Sequence, residues 1–141
     1  MSSPRKEIRH WLSEYLKGKT QAQERVFPNR KVPLGIGQVY PVILIYNESE
    51  DAQDGSVSNY FFQRDYSLVI EARTGDIENV DDIVDDLAEE IEVAISSAVN
   101  NGTLHEKILS VGYQGSNLDV DEEGEMQFGS LLLRFNFKYC R

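Results

Sequence analysis

Residues 119–124 come closer than any other segment of this sequence to the pattern of a metal site. The segment Asp119-Val120-Asp121-Glu122-Glu123-Gly124 has acids at positions one, three and five and glycine at position six, as a calcium-binding loop does. The twelfth position is Ser130, where such a loop needs a bidentate glutamate, and the flanks alternate as strands do. The sequence therefore predicts a solvated hairpin turn at Asp121–Gly124 and no metal site.

The remaining residues that could do chemistry form no recognisable constellation. Gly35 and Gly37 lack the third glycine, the preceding strand and the following helix of a nucleotide-binding loop. His10 and His105 have no metal-ligand spacing to each other or to the lone Cys140. No nucleophile elbow, Cys–His signature or Walker motif is present. We therefore predict that the protein is not an enzyme and has no catalytic residues, cofactor or bound metal.

The segment Asp76–Gly102 has the periodicity of a long amphipathic helix. Apolar residues recur at steps of three and four, and a helix of about 23 residues would be about 35 Å long. Its carboxylates are Asp81, Asp82, Asp85, Asp86, Glu89, Glu90 and Glu92. General acid–base catalysis needs carboxylates that are buried in a cleft with separated pKa values, and this row predicts an exposed face instead. Two interpretations stay open: a solvated face, or a face that contacts a partner or lines a channel.

The charge balance restricts the partners that the protein can have. Twenty-four acidic and fourteen basic residues among 141 give a formal net charge of −10. Phosphates would repel most of such a surface, which argues against a duplex-reading protein, whereas a passive channel for DNA tolerates this sign. A single cysteine indicates a reducing compartment. No signal peptide or transmembrane segment is predicted, so we expect a protein that is soluble and cytoplasmic at synthesis.

The first half of the chain predicts one helix and two strands separated by polar connections. Ser3 can cap a helix that has Pro4 at its first position and ends at Gly18. A long connection over Thr20–Val39 contains a short strand near Arg25–Pro28, followed by a mobile arm. The segment Tyr40–Tyr46 is a strand that is apolar on both faces, and the polar segment Asn47–Asn59 predicts a long flexible hairpin loop.

The second half adds three strands around the long helix. The segment Tyr60–Arg73 alternates as a strand does, and Met126–Tyr139 has the cleanest alternation in the chain. A further strand begins at Ile108, with Gly112 and Gly115 allowing a bulge. The sequence therefore predicts an α+β fold, with a mainly antiparallel four- to five-stranded sheet and two helices packed on one face. Residues 1–141 are expected to form one domain.

Charged side chains suggest how copies of the chain could meet. A basic row of Arg25, Arg30 and Lys31, with Arg64 nearby, could contact an acidic face on a neighbouring copy in a heterologous ring. A mixed-charge surface of little energetic value is the alternative. The candidate contact residues for self-association or for a partner are Arg25, Arg30, Lys31, Asp54, Tyr60, Arg64, Asp82, Asp86 and Glu90.

Taken in order, these segments resemble the tail terminator proteins of long-tailed bacteriophages, the minor tail protein U-like family. The resemblance covers nearly the whole chain and rests on the order and spacing of IRHWLSEYL, VFPNRK, YPVILIY, YFFQRDYSLVIEA, DDIVDDLAEEIEVAI and the terminal pair of strands. The aromatic–Pro–aliphatic strand and Gly112-Tyr113, after the second helix, are its most specific pieces. The arm before Tyr40 is longer than the family pattern, which affects the expected contact with the tail tube.

The resemblance implies a structural role without catalysis. Members of the family form hexameric rings that cap the head-proximal end of the tail tube, stop its growth and provide a surface for joining the head. The implied partners are other copies of the chain, the tail tube protein and a head-completion protein, and the genome passes through the ring without sequence-specific binding. The protein would act in the host cytoplasm during assembly and then in the virion tail. Two alternatives remain: a head-completion or connector protein of the phage neck, and a small-ligand or metal-binding module.

Overall fold

A computed structural model describes residues 3–31, 40–53, 63–76, 79–123 and 126–140. The elements follow the predicted order: α1 (Pro4–Leu16), β1 (Val26–Phe27), β2 (Val42–Gln53), β3 (Gln63–Asp76), α2 (Val80–Asn100), β4 (Ile108–Glu123) and β5 (Met126–Cys140). The strands form one sheet in the order β1-β2-β3-β5-β4. The pair β1–β2 is parallel and every other pair is antiparallel. The predicted α+β class is confirmed.

Both helices cover the same face of the sheet. The core on that face combines Ile8, Leu12 and Leu16 of α1 with the apolar stripe of α2 and alternate residues of β2, β3 and β5. The α1 helix contacts β1 and β2, whereas α2 packs on β3 and β5. The two helices are joined where the Tyr15 hydroxyl donates a hydrogen bond to the Ala94 carbonyl oxygen at 2.8 Å. On β2, Leu44 is as fully buried as Ile43 and Ile45, as predicted for a strand covered on both faces.

The α1 helix begins at the predicted residue but is capped differently. Ser3 occupies the N-cap position without a side-chain capping bond, and its carbonyl oxygen accepts the first helical hydrogen bond, from the Glu7 amide. At the other end the helix stops at Leu16, and Gly18 follows with a φ of 77°. This conformation favours glycine because it has no Cβ. The Gly18 amide then donates to the Gln23 carbonyl, which closes a turn.

The connection after α1 is more ordered than predicted over its first part. Thr20 and Ala22 are buried, and the Thr20 hydroxyl oxygen accepts a hydrogen bond from the Ala22 amide. The short strand predicted near Arg25–Pro28 is confirmed as β1, which pairs through Val26 with Ile43. The predicted mobile arm, residues 32–39, lies outside the described residues.

The β2 strand is longer than the sequence suggested. The prediction of a loop over Asn47–Asn59 is wrong for residues 47–53, because they pair with β3 from Asn47↔Leu68 to Gln53↔Gln63 across one bulge. The backbone ladder and cross-strand charge pairs hold this polar segment in the sheet without burying apolar side chains. Residues 54–59 lie outside the described part of the chain, as does Tyr60.

The long helix is four residues shorter at its start than the predicted segment. Asp76 belongs to β3, where it pairs with Gln127, and α2 begins only at Val80. The predicted stop at Gly102 is confirmed by a φ of 68° and by the bond from its amide to the Val99 carbonyl. The Thr103 amide also donates to the Ala98 carbonyl, which satisfies another carbonyl of the last turn.

The terminal hairpin extends beyond the predicted turn. The prediction of a turn at Asp121–Gly124 is wrong for residues 121–123, which pair in β4 with Phe128, Gln127 and Met126. The ladder runs to the end of β4 because its backbone bonds do not depend on apolar side chains. The predicted bulge is confirmed by register shifts between Ile108 and Ser110 and between Tyr113 and Gly115.

Candidate interaction surfaces

The α2 helix separates an apolar stripe from an acidic face. Val84, Leu87 and Ile91 are buried completely, whereas Asp81, Asp82, Asp85, Asp86 and Glu89 are exposed. Glu90 and Glu92 are half-buried. The helix contains seven acidic residues and no lysine or arginine. The predicted division into a core stripe and a carboxylate face is therefore confirmed, and the acidic face is a strong negative surface.

The three acids predicted as contacts have different surroundings. Asp86 is exposed, and Asp82 lines a shallow depression beside Val120 of β4. Glu90 accepts two hydrogen bonds from Gln21, one from the backbone amide at 3.1 Å and one from the side-chain amide at 2.9 Å. Glu90 thus fastens α2 to the segment that precedes β1.

The four basic residues predicted as a row are spread along β2. The Arg25 Nε donates to the Pro41 carbonyl at 2.9 Å, before the strand begins. The Arg30 guanidinium lies 4.7 Å from the centre of the Tyr46 ring and donates to the Asn47 carbonyl at 2.6 Å. Arg64 pairs across the sheet with Ala52, and its Nη1 is 3.9 Å from a carboxylate oxygen of Glu50.

These arginines therefore stabilise the chain's own backbone and carboxylates at separate points. At about 3.3 Å per strand residue, the contacts at residues 41 and 50 are about 30 Å apart. Lys31 is exposed and follows β1. The candidates Asp54 and Tyr60 lie outside the described residues, so their contact role stays a prediction.

A polar network that the sequence did not reveal closes one end of the sheet. The Tyr66 hydroxyl and the Arg9 guanidinium both donate to the Asn47 side-chain oxygen, the second at 2.9 Å. Nearby, the Tyr139 hydroxyl donates to Glu50. Burial and the hydrogen bond to the Glu50 carboxylate raise the pKa of Tyr139 to about 12, and burial also raises the pKa of Tyr66. Both rings pack edge to face in the core, so the network orients them there.

A second network lies on the sheet face opposite the helices. Glu71 is 6% exposed, and its carboxylate accepts bonds from the Tyr46 hydroxyl at 2.7 Å, from Arg73 Nε at 2.8 Å and from the Ser130 hydroxyl at 3.0 Å. Burial, followed by the bond to Glu71, raises the pKa of Tyr46 above the range of an ordinary tyrosine. The cluster lines an open cavity of about 500 Å³ together with the rings of Tyr40 and Phe128. Both carboxylate oxygens of Glu71 are occupied, so the cluster holds β2, β3 and β5 together.

An uncovered apolar surface lies between α2 and the edge strand β4. Because α2 packs on β3 and β5, the helix-side row of β4 extends beyond it. Tyr113 is 49% exposed, Leu118 47% and Val120 40%, and Val99 of α2 is 46% exposed. The register places the three β4 residues opposite Phe135, Leu131 and Gly129, on the helix side.

This surface, which we call the α2–β4 groove, combines an apolar floor with an acidic rim. One end, of about 410 Å³, is lined by Glu92, Ser96, Val99, Val111, Tyr113 and Phe135, and the other end includes Asp82 and Val120. The outer edge of β4 pairs with no described strand, and the strand contains no lysine or proline, the residues that often protect such edges. The groove therefore has the properties of a protein-binding surface rather than of an enclosed ligand site.

The described residues that were considered above for metal binding do not form one group in the fold. Asp119 is part of β4, opposite Ser130, rather than of a loop. The His105 ring packs edge to face on Trp11, and its Nδ1 accepts a bond from the Lys107 amide at 3.1 Å. Among the described residues, no group of three or more His, Cys, Asp and Glu side chains could hold a metal ion. Neither helix in the described part of the chain is long and apolar enough to cross a membrane.

Comparisons with known proteins give a distant likeness to solved structures. No family model and no curated protein matches the sequence. Among solved structures, the chain is similar to one in the "Virion of native gene transfer agent (GTA) particle". The two are 15% identical and align with a TM-score of 0.42 over 90% of this chain and 84% of the other. At this level the likeness assigns no role to any residue.

Proposed function

We propose that this protein is a virion structural protein of a phage or prophage that terminates the tail. In this role it caps the head-proximal end of the tail tube as a hexameric ring, stops tube polymerisation and presents the surface that joins the head. It acts by binding and not by catalysis. Its partners are other copies of itself, the tail tube protein and a head-completion protein, and it passes from the host cytoplasm into the virion.

The α2–β4 groove is the observation that best supports this proposal. A subunit that works alone gains nothing from leaving Tyr113, Leu118 and Val120 about half exposed at a sheet edge that pairs with no described strand, because burying each would stabilise it by about 1 kcal/mol or more. A subunit that assembles can bury the same row against a neighbour. The element order also agrees with the order of segments on which the resemblance to tail terminators rests.

The charge of the chain agrees with the position of a terminator in the virion. A ring around the genome path must let DNA slide without holding it, and a net charge of −10 gives weak, repulsive contact with phosphates. The seven carboxylates of α2 supply much of this charge. A lumen position for the exposed α2 carboxylates that lie outside the α2–β4 groove is therefore part of the proposal.

Electron microscopy of tails assembled with and without this chain tests the proposal. We expect tubes of uniform length with a ring at one end when the chain is present, and tubes of uncontrolled length when it is omitted. Light scattering should show weak self-association of the chain alone and ring-sized particles only after tube ends are added. Tubes that keep growing in the presence of the folded chain would refute the proposal. Binding to heads but not to tubes would indicate a connector protein instead.

A further inference from the structure

Opposite charges are concentrated at opposite edges of the sheet. Residues 5–31, which include α1 and the edge strand β1, contain eight of the 14 basic residues and only three acidic ones. The α2 and β4 elements together contain 11 acidic residues and no basic one. The strand order places β1 at one edge and β4 at the other. The molecule is therefore electrostatically polar in the direction across its strands.

On the side of α2 away from β4, Glu90 contacts Gln21 and Glu89 faces Lys19 within one copy, but the strands β1 and β4 are too far apart for the charges beside them to neutralise each other. Four strand spacings of about 4.8 Å separate β1 from β4 by about 19 Å. Charges on solvent-exposed edges at that distance are largely screened at physiological salt, where the Debye length is about 8 Å. Complementary contact between the edges therefore requires a second copy.

The two edges also differ in what they offer a neighbour. The α2–β4 groove has an apolar floor, with Glu92 at one end of its rim and Asp82 at the other. On the β1 side, Lys31 lies four positions after the strand and is exposed, whereas Arg30 is held by the Asn47 carbonyl and the Tyr46 ring. A basic edge whose short strand lies beside such a groove would bury the groove's apolar row while its cations meet the rim carboxylates.

We propose that copies of this chain associate head to tail, with the α2–β4 groove of one copy receiving the β1 edge of the next. Lys31 of the incoming copy meets Glu92 or Asp82, and Leu118 lies in the buried centre of the contact. Because donor and acceptor are different surfaces, the contact is heterologous, and repeating it produces a ring when the rotation closes. This inference rests on the proposed function, since it identifies the surfaces that build the terminator ring.

A charge-swap experiment tests the assignment. Asp82→Lys/Glu92→Lys reverses the groove rim, and Lys31→Glu reverses the β1 edge. We expect about tenfold weaker self-association of each variant alone at low salt, because like charges then face each other. An equimolar mixture should recover association and tube capping, since alternating copies present complementary edges. Arg30 is left unchanged, because it holds the Asn47 carbonyl.

A matched control separates the groove from the rest of the acidic helix. Glu89→Lys makes the same charge change on α2, but Glu89 is exposed on the side that faces Tyr15 and Lys19 of the α1 region. We expect this variant to self-associate as the wild type does. Equal weakening by Glu89→Lys, or a mixture of the two swapped variants that fails to recover, would overturn the proposal.

Zero-length cross-linking provides a readout that does not depend on tail tubes. A carbodiimide joins lysines to carboxylates only where they touch, and mixing isotope-labelled with unlabelled protein identifies links between copies. We expect Lys31 linked to Glu92 or Asp82 of another copy, and loss of this link in Leu118→Arg. Links between copies that avoid the groove, or none at concentrations where copies associate, would refute the surface assignment even if tubes are capped. A protein that forms these links but never caps a tube would leave the contact established and refute the terminator function.

Discussion

At the scale of single residues, Gly129 sets how closely α2 approaches the sheet. A Cβ atom built at this position would lie 2.2 Å from the Val80 Cγ1, a distance that real side chains do not adopt. Val80 is the first residue of α2 and is buried. The absence of a side chain on β5 therefore allows the helix to begin directly on the sheet.

Gly129→Ala is predicted to destabilise the fold. Either Val80 must change rotamer or the helix must move, and overpacking of this kind costs about 1–3 kcal/mol of unfolding free energy. Gly112→Ala is the control, since no atom lies within 4 Å of a Cβ at that position of the neighbouring strand. Urea denaturation followed by circular dichroism measures both variants, and Val80→Ala in the Gly129→Ala background should restore much of the loss. Equal stability of the two alanine variants would contradict this account.

The charged residues show what the packed structure adds to charge patterning at this scale. The patterning predicts Arg25, Arg64 and Glu90 as contacts, because a basic row could meet an acidic helix face on a neighbouring copy. The structure pairs them with Pro41, Glu50 and Gln21, which are 16, 14 and 69 positions away in the chain. Such partners depend on the strand register and helix placement, which charge patterning does not specify. Only the packed structure distinguishes a stabilising internal bond from a cation available to a partner.

At the scale of elements, the apolar stripe of α2 holds the helix on the sheet. Leu87 is fully buried near the middle of the helix, whereas Val93 on the same helix is 54% exposed. Leu87→Ala should lower the free energy of unfolding by about 2–5 kcal/mol, because it removes buried methyl groups and leaves a cavity. Val93→Ala should change it by less than about 0.5 kcal/mol. Thermal and urea unfolding of both variants check this, and a large loss in Val93→Ala would place a different face of α2 against the core.

Periodicity predicted most of the elements, because burial on one face leaves a regular pattern in the residues. The stripe of α2 and the alternation of β5 needed no knowledge of their partners. The polar end of β2 left no such pattern, since its order depends on backbone pairing with β3. The bulge after Tyr113 shifts the alternation of β4 by one residue, so Tyr113 and Leu118 share a face although they are five positions apart. Because of that shift, the alternation of the sequence did not predict the α2–β4 groove. Leu118 and Val120, two positions apart, were the residues whose spacing indicated an apolar row on β4.

At the scale of the whole molecule, the net charge conceals an uneven distribution. Composition correctly describes an acidic chain, but it does not show that the basic residues cluster before residue 32 or that β1 and β4 are opposite edges. The strand order shows that the charge imbalance along the chain is also a charge imbalance between opposite edges of the sheet. A molecule with this polarity and two different edges is suited to directional assembly rather than to a symmetric dimer.

Stability at alkaline pH is a property of the whole molecule, and three hydrogen-bonded tyrosine hydroxyls contribute to it. Tyr46, Tyr66 and Tyr139 all have raised pKa values, that of Tyr139 reaching about 12. The unfolded chain ionises its tyrosines near pH 10, while the folded chain keeps these three protonated. The unfolded state therefore binds fewer protons above pH 10, so the unfolding free energy falls as pH rises between the unfolded and the folded pKa of each tyrosine. Their contribution is complete below pH 10 and, for Tyr139, is lost by about pH 12.

Urea unfolding between pH 9 and pH 12 measures this loss, and single variants assign it. Tyr139→Phe should make the decline shallower, because one group that titrates differently in the two states is removed. Tyr113→Phe is the control for the loss of a tyrosine hydroxyl, since Tyr113 is 49% exposed on β4. The Glu50 carboxylate that accepts the Tyr139 bond also lies near Arg5 and Arg64. In the Tyr139→Phe variant these two arginines still offset the negative charge of Glu50. A flat profile in the wild type, or one slope shared by all three proteins, would show that these hydroxyls do not control the alkaline limit of the fold.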